Sequence, residues 1–415
     1  MYMAKKPLTS KKQVKEEVKD KKKISGMSDT APKQPYIVFG APHIGEEEIE
    51  EMVKTLRSGW LGTGPKVAQF EAMMAEMTGA TYALAVNSCT AALHLSMIAA
   101  GIGEGDEVIT TPLTFSATVN SIIHTGATPV LVDVNRATMN IDETLIEKAI
   151  TKKTKAIIPV HFAGRPAEMD TIMKLAKKYN LVVIEDAAHA IGAEYKGKKI
   201  GSIGDLTCIS FYVTKNITTG EGGMVLTNNK EYADKIKMMA LHGMSKDAWK
   251  RFSDDGYKHY EVIYPGFKYN MMDIQASLGI HQLKRIDQYD AIRKQIWDFY
   301  DEHLKSLPID LPSYKDKDIK HVMHLYTILV DEERSGISRD RFMQEMHKRG
   351  IGTGAHYNPV HLHKYYRDAH GYKESHYPNA EYIGARTVSL PLSAKLVMDE
   401  AQRIVDAVKD IFKKK

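Results

Sequence analysis

Two apolar rhythms alternate along most of the chain. Ile44–Ser58 repeats its apolar positions at helical spacing and stops at Gly59. Thr81–Val86 is a short apolar run, and Ser88–Ala100 returns to helical spacing. Glu107–Thr110, Thr128–Val134, Ala156–His161 and Leu181–Asp186 read as strands, with helices over Phe115–His124 and Glu168–Tyr179. Cys208–Tyr212 and Gly223–Thr227 complete the strand set. Strands that alternate with helices predict an α/β fold with a mainly parallel, doubly wound sheet. The strands are apolar on both faces, as expected when helices cover both sides.

Beyond about residue 255 the texture changes. Helical spacing spans Met272–Leu304, His- and Tyr-rich segments follow, and a last helix is predicted at Met398–Lys413. The expected organisation is a tail over 1–35, a large domain over 36–255 and a smaller C-terminal α/β domain over 256–415.

Composition narrows the function classes. The length of 415 residues fits two or three domains, and 43% hydrophobic residues fill a large core. Two cysteines cannot form a disulfide framework, and Cys89 and Cys208 fit a reducing, cytoplasmic location. The net charge of +5 comes from the tail. Residues 1–35 carry ten Lys against Glu16, Glu17, Asp20 and Asp29, which leaves −1 for the body. Such a tail is expected to be disordered, and a body of that charge does not fit a nucleic-acid enzyme. Two segments, Tyr82–Gly103 and Val108–Val132, lack charged residues. Their Asn, His, Thr and Pro content makes them buried elements of the sheet rather than membrane spans.

Ligands in such sheets bind beyond the carboxyl ends of the strands, so the residues there carry the chemistry. Lys215 follows a strand within a Thr/Gly-rich loop, 210-SFYVTKNITTGEGG-223. Desolvation there would free its amine and make it a Schiff-base nucleophile; a surface lysine is the plain alternative. Val183–His189 ends a strand in Glu185 and Asp186. A carboxylate at Asp186 suits the ring nitrogen of a pyridine cofactor, which stays protonated beside it. An N-cap is the alternative there, and no cluster of carboxylates supports a metal. Asn87–His94 joins a strand to a helix, where free N–H groups with Ser88 and Thr90 make a phosphate cradle. Phe115, at another strand-to-helix turn, can stack on a planar ring, although a lone Phe is more often core.

In that order along the chain, the four pieces resemble the DegT-type nucleotide-sugar aminotransferases, which are fold-type-I pyridoxal 5'-phosphate enzymes. The resemblance runs from about Tyr36 to the C-terminus. Its marks include NSCTAALHL, TFSATVNSI, VHFAGRPAEMD, EDAAHAIGAEYKGKKIGSIGD, SFYVTKNITTGEGGM, HGMSKDAWKRF, YPGFKYNMMDIQASLG and HYNPVHLHKYYR. It implies an aspartate-aminotransferase-like large domain.

The resemblance also implies roles. Lys215 would form the Schiff base and shuttle the proton, and Asp186 would pair with the pyridinium nitrogen. His189 would contact the ring hydroxyl and Phe115 would stack on the ring. Cys89, Thr90 and Ser210 would hold the phosphate. Asn270 would reach the phosphate of a neighbouring subunit, which implies a homodimer with a shared active site. Relatives that carry His in place of the lysine are dehydratases, and Lys215 argues against that branch. The expected reaction takes the amino group of L-glutamate to a nucleotide-linked keto sugar, a 4-keto-6-deoxyhexose. A 3-keto sugar or a cyclitol ketone is the alternative acceptor, and a cofactor-binding scaffold with a silent site is the rival class.

Other residues stay open. His356, His361 and His363 invite a metal, but a loop lining the sugar pocket is the preferred reading and no metal is expected. Glu185 is a second acid or a structural partner. Arg386 binds an anion or makes an ion pair, and the role of His242 is undetermined.

Overall fold

A computed structural model describes residues 34–245, 260–313 and 316–413. The lysine-rich segment 1–33 lies outside the described residues. So do the expected domain boundary near 255 and most of HGMSKDAWKRF, which fall in 246–259.

Seven strands form the main sheet. They are β1 (Tyr82–Val86), β2 (Glu107–Thr110), β3 (Thr128–Leu131), β4 (Thr154–Ile157), β5 (Val182–Asp186), β6 (Leu206–Ser210) and β7 (Gly223–Thr227). Their order is β1-β7-β6-β5-β4-β2-β3. The pairs from β6 to β3 are parallel, and β7 alone runs against its neighbours. This is the mixed α/β, mainly parallel sheet that the alternating rhythm predicts. β6 and β7 are buried at every position, because helices cover both faces.

The two uncharged segments resolve into sheet elements. Tyr82–Gly103 holds β1 and the helix Cys89–Ala99, which is buried almost all round. Val108–Val132 holds most of β2, all of β3 and the helix Ser116–His124 between them. Among the described residues, no helix is long and apolar enough to cross a membrane.

Several boundaries differ from the sequence reading. β3 stops at Leu131 and β4 spans Thr154–Ile157, earlier than Ala156–His161. The apolar residues past these strands are buried in the turns that lead to the site, so apolar character overruns the hydrogen-bonded ladder. Met272–Leu304 is two helices, Asp273–Lys284 and Ile286–Leu304, which meet at Arg285. The helix expected from Phe115 starts at Ser116, with Phe115 as its extended N-cap residue at ψ 144°.

A second, antiparallel sheet of Ile309–Asp310, Tyr326–Val330 and Thr387–Leu390 lies in the C-terminal part of the chain. It has its own apolar cluster, in which Trp297, Tyr300, Phe342 and Phe412 meet Ile328 and Leu390. The final helix, Met398–Lys413, buries Ile404, Val405, Val408 and Ile411 at helical spacing in that cluster. Gly354 bridges to Ser389 of this sheet, and the chain runs on from there to His356 and Tyr357.

Candidate active site

β1 to β6 point their carboxyl ends to one edge of the main sheet, and β7, running backwards, starts there. A cavity of about 520 Å³ opens at this edge. It is lined by Cys89, Thr90, Phe115, Asp186, His189, Ser210 and Lys215, together with His356 and Tyr357. Seven of the eight candidate residues therefore share one cavity, although they span more than a hundred positions.

Asp186 ends β5, where its carboxylate is buried. Thr118 Oγ1 donates to its Oδ2 at 2.7 Å, and the Ala188 N–H donates to Oδ1 at 3.2 Å. The Thr118 hydrogen is thus committed to Asp186, so the Thr114 hydroxyl donates to Thr118 at 2.7 Å. Burial raises the Asp186 pKa against these hydrogen bonds and the Lys215 charge.

Lys215 lies just past β6, in a turn closed by its own N–H to Tyr212 O. Among the described residues its amine makes no hydrogen bond or ion pair. Burial pushes its pKa down to about 8, against the pull of Cys89 and Asp186. Its neighbour Asn216 donates to Val322 O at 2.8 Å, which anchors the loop.

The cradle is built by close approach. Ser88 caps the helix Cys89–Ala99 by accepting from the Ala91 N–H at 3.1 Å. The N–H groups of Cys89 and Thr90 precede the first intrahelical bonds and find no acceptor among the described residues. Gly223 lies so near that a Cβ there would meet the Ser88 carbonyl at 2.4 Å and Cys89 N at 2.6 Å. Ser210 ends β6 beside it, with its hydroxyl accepting from the Tyr212 N–H at 3.3 Å. The Cys89 thiol reaches Cys208 O at 3.7 Å, and burial holds its pKa well above the ordinary value.

Phe115 is 61% exposed, so it is not core. Its ring stands 6.1 Å from that of Tyr357 across the cavity. His189 is buried between the rings of His324, at 4.4 Å, and Tyr357, at 6.2 Å. Burial and the Lys215 charge keep it neutral, far below its ordinary pKa.

Asn270 is the one candidate set apart. It lines a second cavity of about 300 Å³ with Trp60, Thr63 and Lys237. It donates to Thr63 Oγ1 at 2.7 Å, and its own Oδ1 is buried without a partner.

The open residues also find places. His356 lines the main cavity, and burial lowers its pKa to about 4. His361 is fully buried and bonds Glu381 at 2.9 Å, while His363 starts the helix Lys364–His370. Among the described residues, no group of three His, Cys, Asp or Glu side chains is placed to hold a metal. Glu185 pairs with His161, and Arg386 Nε donates to Asp331 at 2.9 Å. Tyr357 and Thr118 were not among the sequence candidates. Tyr357 sits in the motif HYNPVHLHKYYR, so the motif signalled the segment but not the side chain that matters.

Comparison with known proteins then fixes the family. Residues 42–409 match the DegT/DnrJ/EryC1/StrS aminotransferase family. The spore coat polysaccharide biosynthesis protein SpsC of Bacillus subtilis is 50% identical over 379 residues, covering 91% of this chain and 97% of SpsC. Among solved structures, the PMP form of the putative sugar aminotransferase Spr1654 from Streptococcus pneumoniae superposes with a TM-score of 0.84. It is 36% identical and covers 91% of this chain and 98% of its own. PseC of Helicobacter pylori, an aminotransferase involved in pseudoaminic acid biosynthesis, is 32% identical with the same TM-score, covering 92% and 100%. Spr1654 is also solved in a PLP form. The chain belongs to the DegT/DnrJ/EryC1/StrS aminotransferase family and is a pyridoxal-phosphate-dependent aminotransferase.

Proposed function

We propose that this aminotransferase moves the amino group of L-glutamate to a nucleotide-linked keto sugar, a 4-keto-6-deoxyhexose. The similarity to SpsC, Spr1654 and PseC supports a sugar acceptor. The observation that carries the reading is Lys215, a half-buried residue with a pKa near 8 and no ion pair among the described residues, in one cavity with the buried carboxylate of Asp186.

The residues fit pyridoxal phosphate. The close approach at Gly223 leaves the Cys89 and Thr90 N–H groups open to an anion, beside the Ser210 hydroxyl. Asp186 is a buried anion in want of a cation, which a pyridinium nitrogen supplies. Phe115 offers a ring face, and His189 lines the same cavity. The partner subunit's Asn270 would complete the phosphate site in a homodimer, since its Nδ2 has a second hydrogen to donate beyond the one it gives Thr63 Oγ1. Cys89 and Cys208 are free thiols, in keeping with a cytoplasmic enzyme.

When bound, pyridoxal phosphate supplies the electron sink that stabilises a carbanion at the reacting carbon. Lys215 does the proton work. Its Nζ takes the proton from Cα of glutamate, and in the second half-reaction it gives a proton to the sugar carbon that receives nitrogen. A pKa near 8 suits both tasks, since the amine is present in both forms near neutral pH. Asp186, held by Thr118, keeps the ring nitrogen charged.

Absorbance tests the reading. L-Glutamate should bleach the yellow band of the holoenzyme, and one of a panel of UDP-, GDP- and dTDP-linked 4-keto sugars should restore it. A bleached band that no keto sugar restores rejects the acceptor class. The absence of any band after adding pyridoxal phosphate rejects the roles of Lys215 and Asp186.

A further inference from the structure

Both ring nitrogens of His189 are already engaged. The Ala163 N–H donates to Nδ1 at 3.3 Å. A backbone N–H has only a hydrogen to give, so Nδ1 presents its lone pair. The ring is buried and neutral, with the Lys215 charge also disfavouring a second proton. Its single hydrogen is therefore on Nε2, which lies 3.1 Å from Tyr357 Oη and donates to it. His189 has nothing left to offer a ligand directly.

That assignment fixes Tyr357 in turn. A phenol oxygen that accepts from His189 still carries its own hydrogen. Among the described residues Tyr357 Oη has no other partner, and the side chain lines the Lys215 cavity. Burial pushes its pKa up, so it stays protonated at any working pH.

Both side chains are held rigidly. His324 covers one face of His189 at 4.4 Å and is locked in place by its bond to Asn216 Oδ1 at 2.9 Å. The backbone of His356 accepts from Thr387 Oγ1 at 2.9 Å, and its Nδ1 bonds Ser389 Oγ at 2.8 Å. Tyr357 thus hangs from the second sheet and is aimed by a residue of the first.

We propose that Tyr357 is the hydrogen-bond donor to an electron-rich oxygen of the bound ligand, and that His189 is a positioning residue acting through it. The inference rests on the proposed reaction. The oxygen is either the ring oxygen of the pyridine cofactor or an oxygen of the keto sugar, and the two differ in what they move. The titratable groups that face the pair are Asp186, Lys215, His324 and His356.

The test uses the holoenzyme and Tyr357→Phe, which removes one oxygen and keeps the ring. If the partner is the cofactor oxygen, the pH midpoint of the visible band, read without substrate, rises by about one unit. That is the tenfold effect expected of a hydrogen bond to a charged oxygen. If the partner is on the sugar, the midpoint and the glutamate half-reaction hold, and KM for the keto sugar rises about tenfold. His189→Gln, whose amide also donates, should keep most of the effect, and His189→Leu should reproduce Tyr357→Phe. A yellow Tyr357→Phe holoenzyme with unchanged midpoint and unchanged KM overturns the inference and leaves the proposed reaction standing. A wild-type protein that forms no visible band rejects the reaction itself. Thermal unfolding of each variant separates these results from a folding defect.

Discussion

Glu185 and Asp186 are neighbours on β5, but they point to opposite faces of the sheet. Both are buried carboxylates, and their surroundings differ completely. Glu185 has three partners from the protein: His161 Nε2 lies at 2.9 Å, the Gly204 N–H at 2.8 Å and the Thr207 hydroxyl at 2.6 Å. His161 Nδ1 accepts from the Ala167 N–H, so Nε2 carries the hydrogen and donates to Glu185. Asp186 has two donors and faces a cavity with a lysine amine that has no partner among the described residues. A buried carboxylate held by three donors of the protein is part of the scaffold. A buried charge with capacity to spare, opposite another, marks the place where a ligand finishes the network.

Substitutions can break that contrast. The largest effect belongs to the cavity side. Lys215→Ala should abolish the yellow band and lower transamination by at least about a thousandfold, because the amine assigned to move the proton is gone. Steady turnover by this variant, followed as 2-oxoglutarate release, would refute the assignment. Asp186→Asn comes next. It should lower turnover by at least about tenfold, since a neutral amide no longer holds the ring nitrogen charged. The melting temperature of the cofactor-free variant should fall less than that of Glu185→Gln, because burial opposes the Asp186 charge and the Thr118 hydroxyl can turn to accept from the new amide. Glu185→Gln should do the reverse. With its oxygen kept toward Thr207 and Gly204, its NH2 would face the His161 Nε2–H, and this costs about 1–3 kcal/mol of stability. The midpoint of thermal unfolding drops while the visible band and KM hold. A variant pair in which Asp186→Asn lost stability and Glu185→Gln lost only activity would erase the distinction.

The sequence shows unequal parts of this picture, for physical reasons. β5 and β6 were legible because a strand buried on both faces is an unbroken apolar run, and the polar residues at its end stand out. Asp186, Ser210 and Lys215 all fall at such ends. Phe115 was located, but its part in the local structure was not: its extended backbone places it before the helix rather than in it. Glu185 could not be told from Asp186, since their difference lies in His161, Gly204 and Thr207, which strand pairing and turns bring together. Tyr357 was hidden for the same reason. Its bond to His189 joins positions 168 residues apart, a separation no local pattern encodes. The helix Pro65–Thr78 was missed because its apolar residues are spread around its axis and leave no clear stripe.

The proposed chemistry depends most on burial lowering the Lys215 pKa to about 8 while the residue still lines the cavity. Its pKa in the folded protein lies below that of the unfolded chain, so the unfolded chain holds the proton more tightly. The cofactor-free protein should therefore gain stability as pH rises from about 8 to the ordinary lysine range near 10.4. The most direct measurement is the rate at which cofactor-free protein develops the yellow band with pyridoxal phosphate, recorded against pH. The account predicts a rate that climbs about tenfold per unit at low pH and levels off near pH 8. A rate that keeps climbing to pH 10 would show an ordinary solvated lysine and contradict it.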